Sequence, residues 1–216
     1  KEDGTEFSLM FLRNGEETTN FSDAGIITIC VITNDNSNYT VAGEEVSTIF
    51  TINKVQLSAT TPVISSEEYT GTSIQPNFDL TLGEGEGVYT LNANEYEIKG
   101  YRNNINVSKA DNKAVILLQA TNKNFEGTKE VEFEITAKDI SNGVLGFGDG
   151  EYQKDFVYNG RSQTPNFNLT YLFNNLVEGT DYTISIERIT TVDEEKTNYV
   201  NVGEFNIVIN GIGNYK

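Results

Sequence analysis

Apolar and polar residues alternate with a period of two along most of this chain. A clear instance is the run in which Val131, Phe133 and Ile135 alternate with Glu132 and Glu134. This period is typical of a β-strand with one buried and one solvated face. No stretch sustains the i, i+3, i+4, i+7 apolar spacing of an amphipathic helix, so the pattern predicts an all-β protein.

Turn signals interrupt these runs at short intervals. Gly and Asn adopt positive φ at little cost, which is why they end strands and start turns. Short strands at this spacing favour antiparallel β-sandwiches. The predicted turns are Asn14-Gly15, Asp23-Ala-Gly25, Asn142-Gly143, Gly148-Asp-Gly150, Asn159-Gly160 and Glu178-Gly179.

The chain repeats itself. Tyr69-Thr-Gly71, followed by the run Pro-Asn-Phe-Asp-Leu-Thr at 76–81, returns as Tyr158-Asn-Gly160 followed by Pro-Asn-Phe-Asn-Leu-Thr at 165–170. The spacing inside the motif is unchanged. A repeat of fixed spacing indicates that one supersecondary unit is copied in tandem.

Further markers extend the repeat along each copy. They are Tyr96-Glu-Ile98 with Tyr182-Thr-Ile184, and the Asn-aromatic steps Asn38-Tyr39, Asn124-Phe125 and Asn214-Tyr215. They predict three domains: a partial first repeat over 1–55, a complete second repeat over 56–139, and a third repeat over 140–216 that lacks its last strand. The complete repeat has the size of a small domain with its own core.

The third repeat also carries two longer motifs. They are Leu176-Val-Glu-Gly-Thr-Asp-Tyr-Thr-Ile184 and Ile209-Asn-Gly-Ile-Gly-Asn-Tyr215. With the Tyr-x-Gly step and the proline-led strand, they resemble the immunoglobulin-like repeats of bacterial cell-surface proteins. In the second repeat the segment 82–89 is longer, and Asn122-Lys-Asn124-Phe125 replaces the glycine-rich step.

This resemblance implies tandem immunoglobulin-like antiparallel β-sandwich domains in an elongated array. It also implies an extracellular location on a bacterial cell surface, in a stalk or adhesin, and it carries over no catalytic residues. We expect the chain to be a mature piece of a longer protein, because its first residues do not resemble a signal peptide.

The net charge of the chain limits which classes of molecule it is expected to bind. The chain has 32 acidic and 15 basic residues, for a formal net charge of −17. Binding to nucleic acid draws on Lys and Arg contacts to phosphate, so nucleic acid is not expected as a partner. No apolar run approaches the ~20 residues that span a membrane, so membrane insertion is not expected either.

Catalytic chemistry is scarce. The chain has no histidine, which excludes a Ser-His-Asp or Cys-His arrangement and a His-containing zinc site. Cys30 lies in an apolar run and is interpreted as a buried core residue. Carboxylates cluster at Glu84 and Glu86 and over 193–195, but in loops without supporting motifs. We therefore predict no enzyme, and assign no catalytic residue, no cofactor site and no metal site.

Two features of the sequence are compatible with non-catalytic chemistry, and each also has a simpler interpretation. The polar loop 33–38 offers oxygen ligands for calcium, although Asp35 is its only carboxylate and a plain turn needs no metal. Lys54 and Lys138 follow terminal strands, where a Lys-Asn or Lys-Asp isopeptide cross-link could form. Their register differs by one residue, which favours exposed hinge residues instead.

These observations favour a non-catalytic structural spacer that projects an adhesive or binding tip. The alternative is an adhesin module whose loops bind a host glycan or matrix protein, with Tyr89, Tyr152 and Tyr171 stacking on sugar rings. An accessory domain of a surface enzyme is the third possibility.

The sequence also makes a prediction about strand pairing between chains and one about the core. The segment 4–9 resembles the closing strand that the third repeat lacks, which predicts that one chain completes its neighbour by strand donation. The alternative is that residues 7–13 are an ordinary strand of the first repeat. The predicted core residues of the second and third repeats are Phe78, Leu80, Ile98, Ile116, Leu118, Phe133, Ile135, Phe167, Leu169, Ile184, Ile207 and Ile209.

Overall fold

The computed structural model describes residues 6–35, 37–41, 46–146, 155–166, 168–172, 174–191 and 193–216. Within these residues the protein is all-β, as the alternation predicts, and it contains no α-helix. Short 3-10 turns cover Leu57–Ala59, Gly85–Gly87 and Asp193–Glu195. None of the described residues forms a helix long and apolar enough to cross a membrane.

The strands are short, and most end where the sequence changes from alternating residues to Gly, Asn or Asp. In chain order they are β1 (Phe7–Arg13), β2 (Glu16–Glu17), β3 (Gly25–Thr33), β4 (Ser47–Ile52), β5 (Val55–Gln56), β6 (Thr61–Ile64), β7 (Glu67–Glu68), β8 (Phe78–Leu82), β9 (Tyr89–Thr90), β10 (Tyr96–Arg102), β11 (Ala114–Ala120), β12 (Phe125–Glu126), β13 (Thr128–Phe133), β14 (Ile135–Thr136), β15 (Val144–Gly146), β16 (Asn168–Tyr171), β17 (Asn174–Asn175), β18 (Tyr182–Arg188) and β19 (Phe205–Gly211).

These strands form several small sheets. The larger ones have the orders β2-β1-β3-β4, β6-β8-β9, β10-β11-β13 and β15-β16-β17, and β18 pairs with β19. Most of the pairs are antiparallel, but β5 runs parallel to β12, and β7 runs parallel to β14. The strand β11 lies between two others and is almost continuously apolar, as expected for a strand covered on both faces.

Contacts divide the chain into two compact units. The first comprises Lys1–Ile64, Phe78–Tyr101 and Ile116–Val131, and the second comprises Ser65–Asn77, Arg102–Val115 and Glu132–Lys216. Neither unit coincides with one sequence repeat, because each contains parts of two repeats. The domain boundaries near residues 56 and 139 stay a prediction.

Burial follows the alternation in most strands. Of the predicted core residues, Leu80, Ile116, Leu118, Phe133, Ile135 and Leu169 are buried. Half-buried positions are Phe78, Ile184, Ile207 and Ile209. The prediction for Ile98 is wrong, since its side chain is 45 % exposed. Phe167 lies outside the described residues.

The third repeat has a small core of its own. Buried Ile140, Leu169, Leu176 and Tyr182 pack together, and Tyr171, Ile184, Ile209 and Tyr215 pack against them half-buried. Short linkers are predicted at residues 55–57 and 139–141, around the two repeat boundaries. Ile140 belongs to the second linker, so this linker contributes to the core of the repeat that follows it.

The two Tyr-x-Gly motifs have the same local geometry. Gly71 and Gly160 adopt φ values of 81° and 73°, a region that side chains with a Cβ rarely occupy. The side-chain oxygens of Thr70 and Asn159 accept hydrogen bonds from the N–H groups two residues later, at 3.4 and 2.9 Å. The sequence repeat thus corresponds to a repeated turn.

The N-terminal strand β1 is paired within its own sheet. Residues from Phe7 to Leu12 lie opposite Thr33 to Thr28 of β3. Residues 7–13 are therefore an ordinary strand of the first repeat. Donation of this strand to another chain would first require breaking that pairing.

Candidate functional site

The most distinctive polar feature of the first unit is the side chain of Asn124. This residue lies between β11 and β12, in the Asn-aromatic step of the second repeat. Its Oδ1 accepts a hydrogen bond from the Ala24 N–H at 2.8 Å, and its Nδ2 donates to Asp23 Oδ1 at 2.9 Å. One amide thus binds a loop of the first repeat through both of its polar ends; we call this contact the first asparagine joint.

Asn214 forms the same contact in the second unit. Its Oδ1 accepts from the Val107 N–H at 2.9 Å, and its Nδ2 donates to Asn106 Oδ1 at 3.1 Å. Asn214 belongs to the Asn-aromatic step of the third repeat, and Asn106 and Val107 belong to the second. We call this contact the second asparagine joint.

Backbone pairing supports each joint. The Val55 N–H donates to Asn124 O, and the Lys138 N–H donates to Asn214 O, both at 2.9 Å. In the second joint the pairing continues, since the Lys216 N–H donates to Lys138 O at 2.8 Å. The linker that enters a repeat is therefore held against the Asn-aromatic step of that same repeat.

Buried apolar side chains lie beside both joints. Leu57 is buried two residues beyond Val55, and Ile140 is buried two residues beyond Lys138. In the first joint the aromatic residue Phe125 is buried, and in the second Tyr215 packs edge-on against Tyr69 with ring centroids 5.5 Å apart. The buried side chain of Leu57 or Ile140 therefore anchors each linker.

The loop that accepts Asn124 is held by Arg13, the last residue of β1. Its guanidinium donates to the backbone oxygens of Asn20, Asp23 and Ala24, each at 3.0 Å. A Cβ on Gly25 would lie 2.5 Å from Nη1 of this arginine, so the glycine leaves the room that the guanidinium needs. Three charge-assisted hydrogen bonds to carbonyl oxygens thus hold the loop in the conformation that Asn124 contacts.

A related arginine ends β18. Arg188 Nη2 donates to Val202 O at 2.6 Å, and a Cβ on Gly203 would lie 2.5 Å from Arg188 Nε. The strands β1, β10 and β18 are each seven residues long and each end in arginine. Sequence reasoning did not identify these arginines, although their common position at the end of a seven-residue strand is a regular feature of the sequence.

Charges differ between the two joints. In the first, Lys123 Nζ lies 2.6 Å from Asp23 Oδ2. Hydrogen bonds from Lys123, Asn124 and Asn20 hold the pKa of the Asp23 carboxyl well below its ordinary value. The equivalent of Asp23 in the second joint is the neutral Asn106.

The second joint has its own ion pair, between Lys138 and Glu68. The hydrogen bond from Lys138 lowers the pKa of Glu68, and the same bond raises the pKa of Lys138. Lys138 is therefore half-buried and paired, and the prediction that it is an exposed hinge residue is wrong. Lys54 is exposed, as predicted.

The residues considered for catalysis have structural partners or lie apart. Cys30 is buried in β3. Glu84 precedes the 3-10 turn Gly85–Gly87 and Glu86 lies within it, and both side chains are exposed. Glu195 Oε2 lies 2.8 Å from Arg188 Nη1, and Asp193 Oδ1 lies 2.7 Å from Lys196 Nζ.

The proposed calcium loop also uses part of its oxygen set internally. Ser8 Oγ donates to Asn34 Oδ1 at 2.9 Å, and Ser37 Oγ accepts from the Tyr39 N–H at 3.1 Å. Asn36 lies outside the described residues. Among the residues that are described, no cluster of three or more cysteines and carboxylates is placed to hold a metal ion.

Two of the tyrosines considered for sugar stacking have partners within the protein. The Tyr89 hydroxyl donates to Glu95 Oε2 at 2.8 Å, and this bond raises the tyrosine pKa. Tyr171 packs against the core of the third repeat. Tyr152 lies outside the described residues.

An open cleft of about 470 Å³ lies in the second unit. Its walls come from segment 155–165, the end of β18, segment 199–204 and the start of β19. Apolar and aromatic side chains line much of it, including Phe156, Tyr158, Ile186, Phe205 and Ile207.

Comparison with known proteins gives no match to a family model, to a curated protein or to a solved structure.

Proposed function

We propose that this chain is a non-catalytic structural spacer of a bacterial surface protein, built from tandem immunoglobulin-like β-sandwich repeats. Its role is to project an adhesive or binding tip from the cell surface. The observation that carries this proposal is the pair of asparagine joints, formed by Asn124 and Asn214 with the same two-ended geometry.

A spacer needs junctions that limit the motion of one repeat against the next. Each joint provides two side-chain hydrogen bonds, a parallel backbone contact and a buried linker residue, Leu57 or Ile140. A flexible linker would need none of these. Repetition of the joint at both junctions is what an array of fixed geometry requires.

Surface charge fits the same role. A net charge of −17 repels copies of the chain from one another and helps an extracellular array to stay soluble. The same charge disfavours a role that depends on binding phosphate groups.

The spacer proposal is tested by measuring how rigid a joint is. Spin labels at Lys109→Cys and Thr183→Cys, exposed positions on the two sides of the second joint, report one distance distribution by pulsed electron resonance. The native Cys30 is buried, which directs the label to the introduced cysteines. We expect a narrow distribution that Asn214→Ala broadens and the control Asn175→Ala leaves unchanged.

A broad distribution in the unmodified chain would contradict a spacer with fixed junctions. A screen against glycans and matrix proteins tests the adhesin alternative on the same purified chain. Saturable binding there would favour the adhesin, and its absence together with a narrow distribution supports the spacer.

A further inference from the structure

Glu95 is the one buried carboxylate among the residues that the structure describes, with 5 % of its surface exposed. It lies directly before β10, and the groups that bind it are neutral. Its Oε2 accepts hydrogen bonds from the Tyr89 hydroxyl and from the Asn92 N–H, both at 2.8 Å. Its Oε1 accepts from Asn122 Nδ2 at 2.9 Å. Burial of a charge is costly unless hydrogen bonds replace its water, so the carboxylate depends on these donors.

The side chain of Asn122 connects this carboxylate to the first asparagine joint. Its Oδ1 accepts hydrogen bonds from the N–H groups of Asn124 and Phe125, at 2.9 and 3.0 Å. Because the oxygen is used in this way, the Nδ2 end of the amide faces Glu95. Asn124 and Phe125 form the Asn-aromatic step, so Glu95 acts on the backbone of the joint asparagine through one intervening amide.

The third repeat has a carboxylate at the same position. Asp181 lies directly before β18, as Glu95 lies before β10, and its Oδ2 accepts from the Val177 N–H at 2.9 Å. The backbone oxygens of the two acids also have equivalent partners. The Thr121 N–H donates to Glu95 O at 3.0 Å. The Ile212 N–H donates to Asp181 O at 2.9 Å.

Beyond these contacts the turns of the two repeats differ. The second repeat has one residue more before its joint asparagine. In the third repeat the backbone closes the turn, since Gly213 adopts a φ of 65° and the Tyr215 N–H donates to Ile212 O at 3.1 Å. In the second repeat the side chain of Asn122 supplies the acceptor, and Glu95 determines which end of that amide points into the turn. The first joint therefore uses a side-chain pair that the second joint replaces with backbone.

The pair requires a carboxylate at one position and an amide at the other. Glu95 accepts at both oxygens, because donors approach each of them. A glutamine of the same shape would place its NH2 group either against the Asn92 N–H or against Asn122 Nδ2. If Asn122 rotated its amide to avoid this, its oxygen would no longer accept from the Asn124 N–H.

We propose that Glu95 is a positioning residue of the first asparagine joint. It fixes the amide orientation of Asn122, and Asn122 holds the backbone of Asn124 where its side chain reaches Ala24 and Asp23. The proposal concerns how the joint is built, and it does not depend on the role of the chain as a spacer.

Hydrogen exchange of the Ala24 amide tests this assignment, because that N–H donates to Asn124 Oδ1 and is protected while the joint is closed. In Glu95→Gln we expect the Ala24 amide to exchange roughly tenfold faster, which corresponds to the net value of one hydrogen bond. The amides that pair β1 with β3 should keep their rates. An unchanged Ala24 rate in this variant would overturn the proposal.

The third repeat provides a matched control. Asp181→Asn alters the equivalent acid, but the turn that leads to Asn214 is closed by backbone. The Val107 amide, which donates to Asn214 Oδ1, should therefore keep its exchange rate. Acceleration of the Val107 amide as large as that of Ala24 in Glu95→Gln would show a general effect of the acid on the turn, and would refute a specific relay.

A reversed pair gives the sharpest test. Asn122→Asp alone brings two carboxylates together and should open the joint, as Glu95→Gln does. Combining the two substitutions reverses the hydrogen bond between the side chains and keeps an acceptor toward the N–H groups of Asn92 and Asn124, so we expect the Ala24 rate to return close to that of the unmodified chain. A pair that exchanges as fast as the single variants would overturn the proposal. If a single variant does not fold, the reversed pair still decides.

Discussion

Asn124 and Asn214 each bind, with one side-chain amide, a loop about a hundred residues earlier in the chain. An amide suits this task because it donates and accepts at once, and the loop offers one N–H and one side-chain oxygen side by side. A carboxylate could not donate to Asp23 or Asn106, and an aliphatic side chain would leave the N–H of Ala24 or Val107 without this acceptor.

Replacement of the joint asparagine should reduce stability. Asn124→Ala removes two partly buried hydrogen bonds, each with a net value of about 1 kcal/mol, so we expect a loss of about 1–3 kcal/mol in the free energy of unfolding. Urea denaturation measures this change. Asn175→Ala, on an exposed strand, is the matched control. Identical denaturation midpoints for Asn124→Ala and the unmodified chain would show that the joint adds nothing to stability.

Acid should weaken the first joint through Asp23. Because its folded-state pKa lies below the unfolded value, its contribution is present above about pH 4 and is lost as the pH falls through the folded-state pKa. Asp23→Asn keeps an acceptor for Asn124, as Asn106 does in the second joint, but removes the titrating group. We expect the melting temperature of this variant to fall less between pH 5 and pH 2 than that of the unmodified chain. Equal falls would contradict the assignment of this acid sensitivity to Asp23.

At the residue scale, the sequence located the asparagines but not their function. The Asn-aromatic steps stand out as markers of the repeat because they recur in the sequence. Their partners, Asp23 with Ala24 and Asn106 with Val107, lie in other repeats, so no local pattern could identify them. The arginines that end β1, β10 and β18 were detectable from spacing alone.

At the element scale, alternation predicted the strands well and burial less evenly. It placed Phe133 and Ile135 correctly, since β13 and β14 carry them into the core. It failed at Ile98, because β10 is an edge strand whose central residues, 97–99, are all exposed. A period of two identifies the two faces of a strand, but not whether another layer covers either face.

Truncation should separate these two positions. Phe133→Ala removes a buried aromatic side chain and should cost about 3–5 kcal/mol of folding free energy. Ile98→Ala removes a side chain that is nearly half exposed, so we expect well under half of that cost. Urea denaturation of both variants tests the contrast, and a larger loss for Ile98→Ala would show that the exposed face of β10 is covered in solution.

At the scale of the whole molecule, charge repulsion should dominate the response to salt. The excess acidic charges repel one another over a screening length that decreases with salt. This length is about 10 Å at 0.1 M and about 3 Å at 1 M. Exposed ion pairs such as Lys99 with Glu97 contribute little and lose little. We therefore expect the melting temperature to rise between 20 mM and 500 mM sodium chloride; a steady fall would mean that the ion pairs outweigh the repulsion.

The sequence alone provided the composition and the charge of the whole chain, but it did not reveal the contacts at the junctions between repeats. The sequence predicted an all-β chain with repeated motifs, and the repeated turns at Gly71 and Gly160 have matching geometry. It did not predict that each linker would pair with the Asn-aromatic step of the repeat it enters. That pairing joins segments such as Val55 and Asn124, which lie far apart in sequence.

The parallel pairing of β7 with β14 determines how the second repeat responds to a pulling force. Tension on the two ends of the chain draws β7 toward the N-terminus and β14 toward the C-terminus, along the strands and in opposite senses. The hydrogen bonds from the Glu67 N–H to Glu134 O and from the Tyr69 N–H to Thr136 O, both 2.9 Å, are then loaded in shear at the same time. In two strands pulled apart from the same end, the hydrogen bonds would instead break one after another. Forced unfolding is set by the rate of that first rupture, so we expect the repeat to resist tension applied along the chain.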